Sequence, residues 1–246
     1  MTVSRSFKVT MNNKILAVDS RISENSRTKL DELGFTIIKI PQNPMFDGAV
    51  SGHSDMFISK INGELFVDNS VKELFTFVKN VKVLNREAVV SENIYRYPED
   101  IEFNCVHVGK SLICNRKHTH SEIIKYAENN NINIINVNQG YAKCSVCVVS
   151  DNAIITEDDS IAKNATENGI DVLQIKKGFV KLPGYDYGFI GGCSGLIEKE
   201  LIVFNGNIEN HPDFDRIHKF CEHYNVKILS LSDEVLCDIG TIYRIC

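Results

Sequence analysis

The sequence predicts an α/β chain folded as a closed array of five hairpin–helix–strand repeats. Three observations carry this prediction. First, a pattern of strand, tight polar turn, apolar strand, helix and short apolar strand recurs five times. The copies begin with the hairpins Phe7–Asp19, Asp55–Asp68, Phe103–Asn115, Cys144–Glu157 and Gly192–Asn205. Second, the residues closing the second strand of each copy are Asp19, Asp68, Asn115, Glu157 and Asn205. They lie roughly 42–49 residues apart, a period typical of propeller-type or solenoid repeats. Third, Leu236–Cys246 follows the fifth copy as one more strand-like piece with no helix. A leftover strand closes the array against the first copy and removes exposed sheet edges.

Each element has a local reason. In the first copy Ile15–Val18 is a strand, a helix runs near Glu24–Leu33, Gly34 stops it, and Phe35–Ile40 closes. In the second, Asp55–Lys60 reaches the turn Asn62–Gly63, whose residues tolerate positive φ. Leu65–Val67 returns, Asp68 to Ser70 suit an N-cap, and Val71, Leu74, Phe75 and Val78 follow helical spacing. Val81–Leu84 closes. In the third, Cys105–Val108 turns at Gly109–Lys110 into Ser111–Cys114, and a helix near Ser121–Glu128 leads to Ile132–Val137. In the fourth, Asp151–Asn152 separates Val146–Val149 from Ala153–Thr156, and Asn168–Gly169 ends the helix before Val172–Ile175. In the fifth, Glu198–Lys199 turns the hairpin, Asn210–His211–Pro212 opens the helix, and Val226–Leu231 closes. No linker interrupts the series, so residues 1–246 are read as a single domain.

Bulk properties exclude several classes. A formal net charge of −5 gives no electrostatic case for nucleic acid or an anionic membrane, and the Lys and Arg residues are scattered rather than grouped in a groove. Residues Met1–Thr10 lack the apolar core of a signal peptide, and no apolar run approaches the roughly 18 residues of a membrane span. The 8 cysteines are spread through strands and helices, which fits a reducing cytoplasm better than a disulfide framework. Cys144 and Cys147 form a C-x-x-C within a strand-like run, where residues three apart face opposite sides. They read as two small buried side chains. His118–Thr119–His120 at a helix entrance has no acidic partners nearby, so no metal and no cofactor is predicted.

The arrangement resembles the pentein fold, the five-bladed α/β propeller of ββαβ repeats found in guanidino-group-modifying enzymes. Gly52–His53–Ser54–Asp55–Met56–Phe57 resembles that superfamily's acidic segment, whose Asp binds the guanidinium. Gly191–Gly192–Cys193–Ser194–Gly195–Leu196 and the helix start His211–Pro212–Asp213 resemble a late blade of the dimethylarginine hydrolases. The chain most resembles an uncharacterised bacterial branch. The resemblance implies a small cationic guanidino or amidino ligand at the centre. It also implies a catalytic His at the start of the fourth-blade strand and a nucleophilic Cys near the start of the final strand. Here the first segment reads Gly140–Tyr141–Ala142–Lys143–Cys144–Ser145, with no His. The second reads Leu236–Cys237–Asp238–Ile239–Gly240–Thr241, and the matching position falls near Gly240 or Thr241.

Residues near the inner-strand starts should line the axis. Candidate nucleophiles are Cys193, Cys144 and Cys237, of which one at most would serve. Candidate ligand contacts are His53, Asp55, Asn104, Lys143, Ser145, Ser194 and Asp238. Carboxylates hold a guanidinium by charge-assisted bonds, and a Cys beside Lys or His gains thiolate character. The glycine-rich run Gly184–Gly192 precedes a strand rather than a helix, so it is no phosphate loop. Close backbone packing or ligand approach explains it, with Tyr185 and Tyr187 as pocket walls. Two functions follow: a cysteine-dependent enzyme on guanidino compounds, or a catalytically silent relative binding a metabolite or macromolecule. A cysteine sulfur within about 4 Å of a His, Lys or carboxylate in a central pocket separates them.

Overall fold

The computed structural model describes residues 14–88 and 94–246. Residues 7–13 of the first predicted hairpin lie outside them. The first repeat holds β1 (Ile15–Asp19), α1 (Glu24–Glu32) and β2 (Thr36–Ile40). The second holds a 3-10 turn at Ser54–Met56, β3 (Ile58–Ile61), β4 (Glu64–Asp68), a 3-10 segment at Asn69–Phe75, and β5 (Val81–Leu84). The third holds β6 (Val106–Val108), β7 (Ser111–Cys114), α2 (Ser121–Asn129) and β8 (Asn133–Asn136). The fourth holds β9 (Val146–Ser150), β10 (Ala153–Thr156), α3 (Asp159–Glu167) and β11 (Asp171–Gln174). The fifth holds β12 (Ser194–Glu198), β13 (Leu201–Phe204), α4 (Phe214–His223) and β14 (Lys227–Ser230), and β15 (Tyr243–Arg244) follows it.

These strands form five three-stranded sheets of one topology. In four of them the middle strand pairs antiparallel with the strand before it and parallel with the strand after the crossover. In the remaining sheet β15 takes the inner place, antiparallel to β1 with Ala17 opposite Tyr243, while β2 lies parallel on the other side. Inner strands of successive sheets touch: β3 meets β6, β6 meets β9, β9 meets β12, and β12 meets β15. The turn at Ser54–Met56 meets β1.

Apolar runs place the middle strands inside. β1, β7 and β10 are buried along their whole length, as strands covered on both faces must be. The cores lie between repeats: Val106 and Ile113 pack with Val146, Ile154 and Ile161 of the next repeat. The helices begin where short polar side chains satisfy open N–H groups. Ser23 accepts from Ser26 N, and Asp158 from Ile161 N. Gly34 and Gly169 end α1 and α3 with φ near +85° and +81°. Among the described residues no helix is long and apolar enough to cross a membrane.

Several local expectations are corrected. Asp55 does not begin a strand. Met56 N bonds to His53 O, Phe57 N bonds to Ser54 O, and Asp55 N donates to Gly240 O at 3.1 Å, so the chain turns before β3. The helix expected through Val71–Val78 is a 3-10 segment. Asn, Ser and Val open it, and it is too short to repay helix nucleation. Cys144 lies in a turn at residues 142–145, ahead of β9, so Cys144 and Cys147 do not share a strand. The fifth helix starts at Phe214, two residues after Pro212, because a separate 3-10 turn occupies Ile208–Asn210. Of Leu236–Cys246 only Tyr243–Arg244 is strand, with a bridge from Cys237 to Lys181. His120 caps α2 by accepting from Glu122 N.

The recurring polar residue after the second strand ties neighbouring repeats together. Asn205 accepts from Ser26 Oγ at 2.8 Å and donates to the Cys237 carbonyl at 2.9 Å. Glu157 accepts from Ile190 N at 3.0 Å through one oxygen, while its other oxygen is buried without a hydrogen-bond partner. Burial pushes the Glu157 carboxyl up to about 8. The folded state therefore keeps a proton that the unfolded chain releases near its ordinary value of about 4.3. The linked stability is complete below that value and is lost as pH rises to about 8. Glu157→Gln is expected to flatten the fall of the thermal midpoint between about pH 5 and 9, and to be the more stable protein at the alkaline end. Equal slopes for the two proteins would refute the assignment.

Candidate functional site

Three segments distant in sequence meet beside the inner strands. The turn at Ser54–Met56 is pinned by Ser54 Oγ, which bonds the Gly240 and Thr241 carbonyls at 2.7 and 2.8 Å. The turn at 142–145 is held by Asn104, whose Oδ1 accepts from Lys143 N at 2.7 Å and Cys144 N at 3.4 Å. Gly192 N donates to the Cys144 carbonyl at 2.7 Å, and Thr241 N to the Gly192 carbonyl at 2.8 Å. Asp238 accepts from Gly240 N and Phe189 N, both at 2.9 Å.

The side chains converge on Cys144. Its Sγ donates to Asp55 Oδ2 at 2.9 Å. Thr241 Oγ1 lies 3.0 Å from the same oxygen and 3.1 Å from the Gly191 carbonyl, and accepts from Lys143 Nζ at 3.2 Å. Asn104 Nδ2 lies 3.4 Å from Cys144 Sγ. His53 Nδ1 lies 3.7 Å from Asp238 Oδ1 and has no hydrogen-bond partner; Asp55 Oδ1 has none either. A cavity of about 260 Å³ opens over this group. His53, Cys144 and Asp238 line it together with Tyr141, Tyr185, Tyr187 and Phe189. A larger surface groove of about 870 Å³ beside α4 is lined by both charge signs and gathers no comparable cluster.

Burial sets the charges. It pushes the Asp55 carboxyl up, against the pull of Cys144, Lys143 and Thr241. It raises Asp238 to about 7, and the charge of Asp55 adds to this. It raises the Cys144 thiol, and both carboxylates oppose its ionisation further. It lowers His53 to about 3, helped by Arg21, so the imidazole is neutral at pH 7. It also lowers Lys143, with Asp55 pulling the other way. The resting site thus holds a protonated thiol, a neutral imidazole and two carboxyls that disfavour each other. A cation entering the cavity opposes the shifts on the carboxyls and the thiol, because it favours their ionised forms, and it keeps the imidazole neutral.

His53, Cys144 and Asp238 place one ring nitrogen, one sulfur and one carboxylate oxygen within 4.8 Å of one another. Such a donor set suits a transition-metal ion such as zinc. The sequence reading predicts no metal, since these residues come from three separate segments and show no ligand spacing.

Of the sequence-predicted residues, His53, Asp55, Asn104, Lys143, Cys144 and Asp238 come together here. Ser145 is buried next to them, with Oγ unpartnered. Ser194 lines a different cavity. Cys193 is fully buried in the core between the fourth and fifth repeats, its Sγ directed at the Ile190 carbonyl at 3.3 Å. Cys237 is half-buried and does not line the cavity over Cys144. Tyr185 and Tyr187 are walls, as the sequence reading expects. Tyr141, Phe189 and the Thr241 hydroxyl are contributors that the candidate set omits. Thr241 carries one local peculiarity, a φ of +74° in a residue other than glycine.

Solved structures of like fold include DDAH from Pseudomonas aeruginosa complexed with citrulline. It shares 9% identity over 89% of this chain and 91% of that one, with a TM-score of 0.56. A dimethylarginine dimethylaminohydrolase adduct with S-methyl-L-thiocitrulline matches at 8% identity, over 89% and 91% of the two chains, with a TM-score of 0.56. An amidinotransferase from Microseira wollei, of the saxitoxin biosynthetic pathway, matches at 11% identity, over 89% and 88%, with a TM-score of 0.50. At these identities the likeness establishes the fold, which is that of the pentein superfamily. No curated protein matches the chain in sequence. Residues 17–243 match a family described as a family of unknown function, DUF6873, and the chain belongs to that family.

Proposed function

We propose that the chain is a single-domain, five-bladed α/β propeller of the cytoplasm that acts on a small guanidino or amidino cation, with Cys144 as nucleophile. One observation carries the reading: Cys144 Sγ lies 2.9 Å from Asp55 Oδ2 in the same cavity as His53 and Asp238. That separation lets Asp55 take the thiol proton. The carboxyls of Asp186 and Asp238 and four aromatic rings line the cavity, a site for a flat delocalised cation held by charge-assisted bonds and by cation–π contact.

The chemistry follows from these groups. The Cys144 proton passes to Asp55, and the sulfur pair forms an S–C bond to the central carbon of the cation. The C=N π pair moves onto nitrogen. Collapse breaks a C–N bond, and the departing amine takes up the transferred proton. Water then adds to the S-bound carbon and gives a proton to Asp55, and the S–C bond breaks as the sulfur takes that proton to restore the thiol. An amine in place of water gives amidino transfer. Asp55 accepts and returns the proton at each stage.

The second reading is a silent pentein that binds a ligand without turnover. The raised Cys144 thiol favours it, since an un-ionised sulfur is a poor nucleophile. Alkylation by a cationic haloacetamidine, mapped by mass spectrometry, tests the two. Modification of Cys144 ahead of the exposed Cys246, slowed by arginine or agmatine, is the expected result. Modification confined to Cys246 would sink the enzymatic reading.

A further inference from the structure

A second cavity of about 370 Å³ shares no lining residue with the first. The two are separated by the Asp55–Thr241 contact: Thr241 lines the second cavity, and Cys144, bonded to the same Asp55 oxygen, lines the first. All five inner strands, β3, β6, β9, β12 and β15, contribute to its wall. The side chains they and the neighbouring turn present are of one charge sign. Lys60, Lys143 and Arg244 line it, with the His107 imidazole and hydroxyls from Ser194 and Thr241, and among the described residues no Asp or Glu does.

The two lysines there are under-compensated. Lys60 Nζ donates to the Ile245 carbonyl at 2.8 Å, and Lys143 Nζ to Thr241 Oγ1 at 3.2 Å. An ammonium has three protons to give, and among the described residues neither has a carboxylate within 4 Å. Arg244 donates to the Ile197 carbonyl at 2.6 Å and stands over the Phe35 ring. Among the described residues the carboxyl-bearing or terminal groups acting on this wall include Glu198, which pairs with Lys14, the acidic group of Cys246, Asp55 and Asp238 on the far side of Lys143, and Asp151 near His107. None of these lines the cavity. Burial lowers both lysines from their ordinary value, an effect that a bound anion opposes.

We propose that this second cavity binds a small polyanion, a molecule with two or more phosphoryl or carboxylate oxygens, between Lys60, Lys143 and Arg244. The axis is then polar: the carboxyls of Asp186 and Asp238 line one cavity and the cations line the other, with Asp55 between them. The inference does not depend on Cys144 chemistry, and its ligand carries the opposite charge.

Calorimetric titration with inorganic phosphate, pyrophosphate and citrate at constant ionic strength tests it. At least one is expected to bind saturably to the wild-type protein with an affinity tighter than about 1 mM and to raise its thermal midpoint. Binding of the phosphates alone assigns phosphoryl recognition, binding of citrate alone assigns carboxylate recognition, and either supports the site. Lys60→Gln and Arg244→Gln should each weaken binding at least about ten-fold. Because these side chains also hold backbone carbonyls, a wild-type crystal soaked in tungstate gives an independent readout. Anomalous density between Lys60, Lys143 and Arg244 is expected. No binding by any of the three anions, equal affinity in the variants, or density elsewhere would overturn the proposal.

Discussion

Cys144→Ser is expected to leave the fold intact and to lower covalent reactivity toward cationic amidino compounds by at least about 10³-fold. Serine matches the thiol in size and still donates to Asp55 Oδ2, so the buried carboxyl keeps its partner. What is lost is the polarisable sulfur, the one thiol lining this cavity among the described residues. Binding of the cation should survive, because its charge is met by the carboxyls and the aromatic walls. Its affinity should rise with pH through about 7, where Asp238 ionises in the free protein, and the slope should be the same in wild type and Cys144→Ser. Asp238→Asn should remove that slope. Rapid labelling of Cys144→Ser at any other cysteine, protected by arginine, would place the nucleophile elsewhere.

Gly191→Ala is expected to cost about 4 kcal/mol or more and to prevent recovery of folded protein. A Cβ at this position would lie 2.4 Å from the Val146 carbonyl oxygen, 2.5 Å from that of Lys143 and 2.6 Å from that of Cys144. All three neighbours are backbone, so no rotamer change makes room. They belong to the turn that presents Cys144 and to the first residue of β9, so a chain that did yield would misplace the thiol. Within the glycine-rich run before β12, Gly191 thus packs backbone on backbone, Gly188 and Gly192 leave room for the Asp238 side chain, and Gly184 supplies a φ of +90°. Gly63→Ala is the control. Nothing lies within 4 Å of its Cβ, and only the φ of +87° penalises it, at about 1 kcal/mol. Denaturant unfolding of Gly191→Ala within about 1 kcal/mol of wild type would contradict the geometry.

Local chemistry made much of the fold legible. Asn62–Gly63 reads as a hairpin because both residues accept positive φ, and they adopt +49° and +87°. Asp68, Gly34 and Gly169 announce helix ends because their side chains, or the lack of one, act within a few residues. The site was legible only as far as the repeats align. His53, Asp55, Lys143 and Cys144 stand near inner-strand starts, and that position picked them out. Their conformations were hidden because they are fixed from afar. Asp55 leaves the strand to meet Gly240, 185 residues on, and no window around Asp55 contains that information. Cys193 misled for the converse reason. A small apolar side chain beside glycines looks alike whether it faces a cavity or a core, and the choice depends on what the fifth repeat packs against.

The pairing of β15 with β1 has a kinetic consequence. The Cys144–Asp55 contact spans 89 residues and the Thr241–Asp55 contact 186. Each repeat can assemble from near neighbours, but these contacts must wait for long loops to close, which slows folding and sets its order. Until β15 docks, β1 has an open hydrogen-bonding edge and Asp55 lacks Thr241. An intermediate with four sheets formed would hold Cys144 and Asp55 without Thr241 and would offer that edge to other chains. Chemical character at the centre is thus acquired in the final step of folding, and the same step seals the surface most prone to association.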